Sequence, residues 1–286
     1  SAGAGLRSVA VAETGTESYD DRPAPERADL CEFVSVMRGC DNFCAYCIVP
    51  YVRGRERSRP PEEVEREVRR LCQRGVVEVT LLGQNVNSYG RKNGGGVLLA
   101  GLLERLNAVD GLKRLRFITS HPRDMTTDIL RAVADLDKVC EHIHMPAQSG
   151  SDAVLKRMNR GYTRAHYDGL VQEARALIPR VEIASDFIVG FPGETDGDYE
   201  RTLRLVEQTR FQQSFIFRYS ARPGTRAAEL PDDVPDAVKR RRQQALLAAQ
   251  ERVDVRRRAA LVGRTVEVLC EGENAARPKE GRWIGR

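Results

Sequence analysis

Residues 33–82 read FVSVMRGCDNFCAYCIVPYVRGRERSRPPEEVEREVRRLCQRGVVEVTLL. The stretch opens and closes on short apolar, β-branched runs, 33–37 and 76–82. Between them, Val64, Val68, Leu71 and Cys72 recur at i, i+4, i+7 and i+8, one face of a helix. Pro60 and Pro61 begin that helix, acids fill its first turn, Arg69 and Arg70 its last, and Gly75 stops it. Strand, helix, strand is the unit of a parallel sheet. The loop after the first strand is unusual: Cys40, Cys44 and Cys47 crowd into it, and basic residues follow at once.

The same rhythm continues through the middle of the chain. LRFIT (115–119), EHIHM (141–145), EIASDFIVG (182–190) and SFIFRYS (214–220) read as strands, with helical stretches between them. Six such repeats predict an α/β fold, a parallel sheet closed or partly closed into a (β/α)6 barrel over about 31–235. Polar, glycine-containing segments follow the strands: GQNVNSYG, SHPRD, QSGSD, GFPGET and ARPGT. In parallel α/β folds those strand ends form the active face, and the cysteine loop opens onto it. Past Pro235 the pattern changes to a long basic helix, 236–262. Val238, Ala245, Ala249, Val253 and Ala260 form its apolar stripe. RTVEVLCEG then reads as a new strand, the start of a small β module over 263–286. Residues 1–30 lack the order of a signal peptide and read as a polar leader or linker.

Composition narrows the class. Of 286 residues, 41% are hydrophobic, which fits a globular chain. No apolar run approaches the roughly 18–20 residues of a membrane span. Net charge is +5, yet residues 236–286 hold 13 Lys and Arg against 7 Asp and Glu, so the rest is near neutral. Basic character concentrates in that tail and in Arg53, Arg55, Arg57 and Arg59, and points to a polyanionic partner such as nucleic acid. Seven cysteines, three of them clustered, do not resemble a secreted disulfide framework. A reducing cytoplasm fits better, and there clustered cysteines mean metal or redox chemistry.

Structural zinc wants four ligands, commonly as two paired knuckles. Cys31, Cys72, Cys140 and Cys270 provide no second C-x2-C, and they read as packing or surface thiols. The C-x3-C-x2-C set instead supplies three thiolates to a [4Fe–4S] cube and leaves one iron open to a substrate or cofactor. Electron-transfer clusters usually have four cysteines. His142 and His144 alternate along a strand and face one side. With no carboxylate partner evident, they are expected to pack the barrel.

With Tyr46 as the aromatic residue in C-x3-C-x-φ-C, the loop resembles the signature of radical S-adenosylmethionine (SAM) enzymes. More narrowly, the chain resembles the methylthiotransferases of that superfamily, from about Phe33 to Arg286. The resemblance rests on GCDNFCAYCIVPYVRGRERSRP, LLGQNVNSY, RFITSHPRDM, HIHMPAQSGSDAVLKRMNRGYTR, SDFIVGFPGET and YSARPGT. GQNVNSY and ASDFIVGFPGET are most similar to the branch that adds a methylthio group to C2 of N6-isopentenyladenosine, next to the anticodon of tRNA. Sibling branches modify threonylcarbamoyladenosine or a ribosomal-protein aspartate. A reading of another class is a non-catalytic RNA-binding protein with a structural metal site.

The resemblance implies a cube on Cys40, Cys44 and Cys47, SAM chelated by its open iron, and a low-potential electron donor. One SAM molecule yields a 5′-deoxyadenosyl radical and another donates the methyl group. Gln84, Asn85, Ser120, His121, Gln148, Ser149 and Asp186 are expected round SAM, and Arg157 or Arg160 at its carboxylate. Backbone near Tyr46 and Ile188 is expected at the adenine. Arg53, Arg55, Arg57 and Arg59 are expected on phosphates of a tRNA anticodon stem-loop. Arg256, Arg257 and Arg258, with the β module, resemble the start of an RNA-binding TRAM domain. The family also carries an upstream domain whose three cysteines hold a second cluster. This sequence has no second triad, so it is expected to represent part of such an enzyme, a monomer.

Overall fold

The computed structural model describes residues 29–92, 96–273 and 283–285. Residues 1–28 of the leader read over 1–30, and residues 274–282 and 286 of the terminal β reading, lie outside the described residues. The chain first forms β1 (Cys31–Ser35), then β2 (Met37–Arg38), a single turn α1 (Val49–Val52) and β3 (Arg57–Ser58). Three β/α units follow: α2 (Pro61–Gln73), β4 (Glu78–Leu82), α3 (Leu99–Asn107), β5 (Arg114–Phe117), α4 (Thr127–Asp135) and β6 (His142–His144). Next come α5 (Asp152–Arg157), α6 (Arg164–Leu177), β7 (Glu182–Val189), α7 (Asp196–Thr209) and β8 (Gln213–Arg218). The long α8 (Asp236–Ala259) precedes an antiparallel pair, β9 (Cys270–Glu273) and β10 (Trp283–Gly285).

All six expected strands form, and all pair in parallel: β1-β4-β5 and β6-β7-β8. Backbone bonds from Leu115 N–H to Lys138 O (2.7 Å) and from Ser120 N–H to His144 O (3.2 Å) join the two halves. Spatial order therefore equals chain order, as in a partial barrel. Among the described residues no ladder joins β1 to β8, so the barrel stays open along that side.

Alternation explains the layers. Val34, Val79, Leu81, Leu115, Phe117, Ile143, Ile183, Phe187, Val189 and Ile216 are buried beneath the helices. The other face carries Glu78, Arg116, His142, His144 and Asp186, a polar lumen row. Helix α2 forms as its sequence requires: Val64 and Val68 are buried, Leu71 and Cys72 pack beside them, and Gly75 follows at φ +97°.

Each strand reading overran its strand by one or two residues at one end or both, and two of the overruns have a local cause. The first run ends its ladder with Val36 N–H on Leu82 O (2.9 Å), and Met37 then leaves to pair with Ser58. Thr119 takes φ +68°, which closes β5 early.

Helix α8 departs further from expectation. Its buried face is Lys239, Arg242, Leu246, Ala249, Gln250 and Val253, whereas Ala245 and Ala260 are exposed. The apolar stripe read from sequence was rotated because it left out polar residues that bury by pairing. Arg242 donates to Glu194 Oε2 at 2.7 Å, and both side chains are within 5% of full burial. Gln250 bonds Ser214 Oγ at 2.7 Å and Phe211 O at 3.1 Å. The helix is therefore packed as a layer against β8 and α7.

Candidate functional site

The cysteine loop is held from both ends. The β2–β3 ribbon closes its base. Gly39, at φ +75°, sits so close to the Arg55 carbonyl that any Cβ would collide with it. Gly39 N–H donates to Gln84 Oε1 at 2.7 Å, Cys40 N–H to Gly54 O at 3.2 Å, and Ala45 N–H to Met158 O at 2.8 Å. Asn159, itself at φ +56°, donates from Nδ2 to Phe43 O at 2.9 Å. The loop thus sits across the C-terminal ends of the strands, against the segment after α5.

Cys40 and Cys44 are buried and Cys47 is half-buried. Burial pushes the Cys40 thiol up to about 11, with Cys44 and Cys47 adding to the rise, so the three sulfurs share one field. Burial also raises Cys47. Among the described residues no three His, Cys, Asp or Glu converge on one point as the ligands of a single ion do. A cube asks for a wider triangle, one thiolate on each of three irons. Three neighbouring thiols, partly buried and free of disulfides, fit that donor set.

Arg160 is buried beside them. Its Nη1 donates to Cys44 Sγ at 3.3 Å and lies 3.5 Å from the Tyr46 hydroxyl. Nη2 donates to Pro146 O at 2.8 Å, and Nε to the Tyr162 hydroxyl at 3.0 Å. Burial works against its charge, but Tyr162, Tyr46 and Cys44 hold the guanidinium protonated. His121 Nε2 lies 4.0 Å from the same sulfur. Burial, then the Arg160 and Arg123 charges, keep that imidazole neutral.

The strand ends supply polar atoms with no protein partner. Asn85 Oδ1, Ser120 Oγ and Gln148 Oε1 are buried and unpaired among the described residues. Buried polar atoms need partners, and these three lie where a bound molecule or ordered water can supply them. Gln148 is held at φ +67°, with its N–H on Asp186 O (2.8 Å) and its carbonyl accepting from Ile188 N–H (3.0 Å). Backbone strain of this kind gathers at functional sites. Tyr46 and Ile188 pack against one apolar cluster with Val154, Met158, Phe191 and Tyr219.

Several expected contacts are engaged otherwise. Gln84 anchors Gly39. The Asn85 amide bonds Asp124 Oδ2 at 2.8 Å and Glu56 Oε1 at 3.2 Å. Ser149 faces Thr202 Oγ1 at 3.3 Å. Arg157 donates to Gly193 O at 2.8 Å and Pro192 O at 3.2 Å, so it braces the loop after β7. Asp186 Oδ1 meets His144 Nε2 at 3.0 Å, while Thr119 N–H points at Nδ1 at 3.3 Å. Nδ1 therefore accepts and Nε2 donates. This corrects the histidine reading: His144 has a carboxylate partner, 42 residues away in sequence. His142 is held neutral, its pKa lowered to about 4 by burial and then by Arg116.

The arginines divide as well. Arg53, Arg55 and Arg57 are exposed beside the cysteine loop. Arg55 pairs with Asp41 at 2.7 Å. Arg59 does not join them: it is buried on Glu67 (2.6 Å) and Ser35 O (2.8 Å), a structural position. Arg257 pairs with Glu182, the first residue of β7, and Arg258 with Glu251. Lys239, near the start of α8, packs on Gly190 after β7. The 24-residue α8, about 36 Å long, thus runs antiparallel to β7. Arg256, Arg257 and Arg258 lie at the end of the sheet opposite the cysteine loop.

Over 272 residues the chain is 50% identical to the tRNA-2-methylthio-N(6)-dimethylallyladenosine synthase of Moorella thermoacetica, covering 95% of this chain and 61% of that enzyme. The Clostridium botulinum (strain Loch Maree) enzyme of that name is 48% identical, covering 96% and 61%. The chain thus spans about three-fifths of the length of these relatives. Among solved structures, the methyltransferase TsrM of Kitasatospora setae superposes with TM-score 0.57 at 17% identity, over 68% of this chain and 38% of that one. Coproporphyrinogen III oxidase of Escherichia coli gives 0.55 at 16%, over 81% and 53%. These two share the fold. The family model of the radical SAM superfamily matches residues 34–206, from the first barrel strand into α7, and the chain belongs to that superfamily.

Proposed function

We propose that this protein is a radical SAM methylthiotransferase that adds a methylthio group to C2 of N6-isopentenyladenosine next to the anticodon of tRNA. The observation that carries the proposal is the 47–50% identity, over 91–96% of the chain, to enzymes bearing that activity in their names. Cys40, Cys44 and Cys47 would hold the [4Fe–4S] cube. Held there, the cube would supply the one-electron reduction by which SAM is split into methionine and a 5′-deoxyadenosyl radical.

The chain's own residues bind, orient and exclude. The unpaired atoms of Asn85, Ser120 and Gln148 would bond the amino group and ribose of SAM. Tyr46 and Ile188 form a wall for its adenine. Arg160 places a positive charge beside its carboxylate. Gly39 lets backbone approach where a side chain would intrude. In this reading residues 31–235 with α8 form the catalytic core, and 263–286 begin an RNA-binding module. A low-potential donor supplies electrons, and the protein acts as a cytoplasmic monomer. No helix among the described residues is long and apolar enough to cross a membrane.

Nucleoside mass spectrometry of tRNA from a strain lacking the gene tests the substrate. The methylthiolated isopentenyl nucleoside disappears and its unmodified precursor accumulates. Loss of the methylthiolated threonylcarbamoyl nucleoside instead would assign the protein to a sibling activity.

The active-face arginines give a second test. If Arg53, Arg55 and Arg57 contact phosphates, neutralising each lowers the log–log salt slope of tRNA binding by about 0.7–0.9. Arg256→Gln with Arg258→Gln, at the far end of the sheet, changes that slope less. The opposite ranking would move the RNA to the other end of the barrel.

A further inference from the structure

Arg160 carries a charge that no described carboxylate balances. It is 4% exposed, and among the described residues no carboxylate pairs with it. Its hydrogen-bond partners are two tyrosine hydroxyls, the Pro146 carbonyl and the Cys44 sulfur. A buried guanidinium without a counter-charge is costly. The one partner that can become an anion in place is the sulfur, because a cluster ligand is a thiolate.

The guanidinium is also firmly aimed. Tyr162 accepts from Nε and its own hydroxyl donates a hydrogen bond to Ala147 O at 2.8 Å. Pro146 O fixes Nη2, which leaves Nη1 directed at Cys44 Sγ, 3.3 Å away. Planar, fork-shaped donors hold such aim where a lysine would not.

We infer that Arg160 sets the reduction potential of the cluster by donating a charged hydrogen bond to the Cys44 sulfur. The inference rests on the cluster reading above and is separate from any contact Arg160 makes with SAM. Adding one electron makes the cube and its thiolates more negative. A fixed positive charge at one sulfur favours that reduced state and so raises the potential, as hydrogen bonds to cluster sulfurs do. The barrel thereby lets a given donor reduce a larger fraction of the enzyme before SAM arrives.

The test is an anaerobic redox titration, followed by electron paramagnetic resonance, on reconstituted wild-type, Arg160→Lys and Arg160→Gln proteins without SAM. Iron and sulfide are counted in each. Arg160→Gln is expected to shift the oxidised-to-reduced ratio about tenfold toward the oxidised form, a fall of about 59 mV. Arg160→Lys keeps the charge but not the fork, and falls by part of that amount. If Arg160→Gln does not retain its cube, Arg160→Lys decides alone: a lower potential supports the inference. Unchanged potentials in cluster-loaded variants overturn it and leave Arg160 as a SAM contact only. Wild-type protein that assembles no cluster would instead overturn the functional reading on which the inference rests.

Discussion

Changing Cys44 to Ala removes the cluster and SAM cleavage together. The expected result is loss of the broad iron–sulfur absorbance and of 5′-deoxyadenosine formation to background, with the protein still folded. Cys40→Ala and Cys47→Ala behave alike, because each thiolate holds a separate iron. Cys72 is the control. Its side chain is partly buried against the core on α2, with Cβ beside the Gly111 turn, so Cys72→Ala costs about 1–2 kcal/mol of stability at most, less than a full large-to-small core change. Its iron content stays at the wild-type level. SAM cleavage by Cys44→Ala at the wild-type rate would remove the three-cysteine site from the account.

The second large effect is on stability. Glu194 and Arg242 are buried together, and Glu194 Oε2 also accepts from Gly190 N–H at 2.7 Å. Burial raises the Glu194 carboxyl pKa, while the Gly190 amide and Arg242 hold it down. Arg242→Met leaves that carboxylate buried with no cation, which costs about 3–5 kcal/mol, a fall of roughly 10 °C in melting temperature. Adding Glu194→Gln recovers most of the loss, since no uncompensated charge then remains inside. The double variant tells this pair apart from simple loss of packing: packing loss would not be rescued. A melting temperature within about 2 °C of wild type for Arg242→Met would show that the pair contributes nothing net.

Most of the barrel was legible because its signals are local. Six β-branched runs stand between amphipathic helices, and α2 carries its own start, stripe and stop. The cysteine triad was legible as a cluster for the same reason, since its three cysteines lie within one loop. What escaped the sequence depends on pairing across the fold. The β2–β3 ribbon has two residues per strand and no periodicity to detect. Arg242 and Arg59 looked like members of exposed basic runs until Glu194 and Glu67 were seen to bury them. His144 lacked a visible partner because Asp186 arrives from the next strand. The apolar stripe read for α8 was rotated because its buried face is half polar, a pattern that hydrophobic periodicity cannot register.

Anaerobic reconstitution of the 286-residue chain with iron and sulfide, then reduction in the presence of SAM, tests the central claim most directly. The account predicts about four irons and four acid-labile sulfides at the Cys40–Cys44–Cys47 site, with 5′-deoxyadenosine and methionine formed only when the protein is reduced. Stoichiometric metal without sulfide, and SAM left intact by the reduced protein, would contradict it and favour a structural metal site.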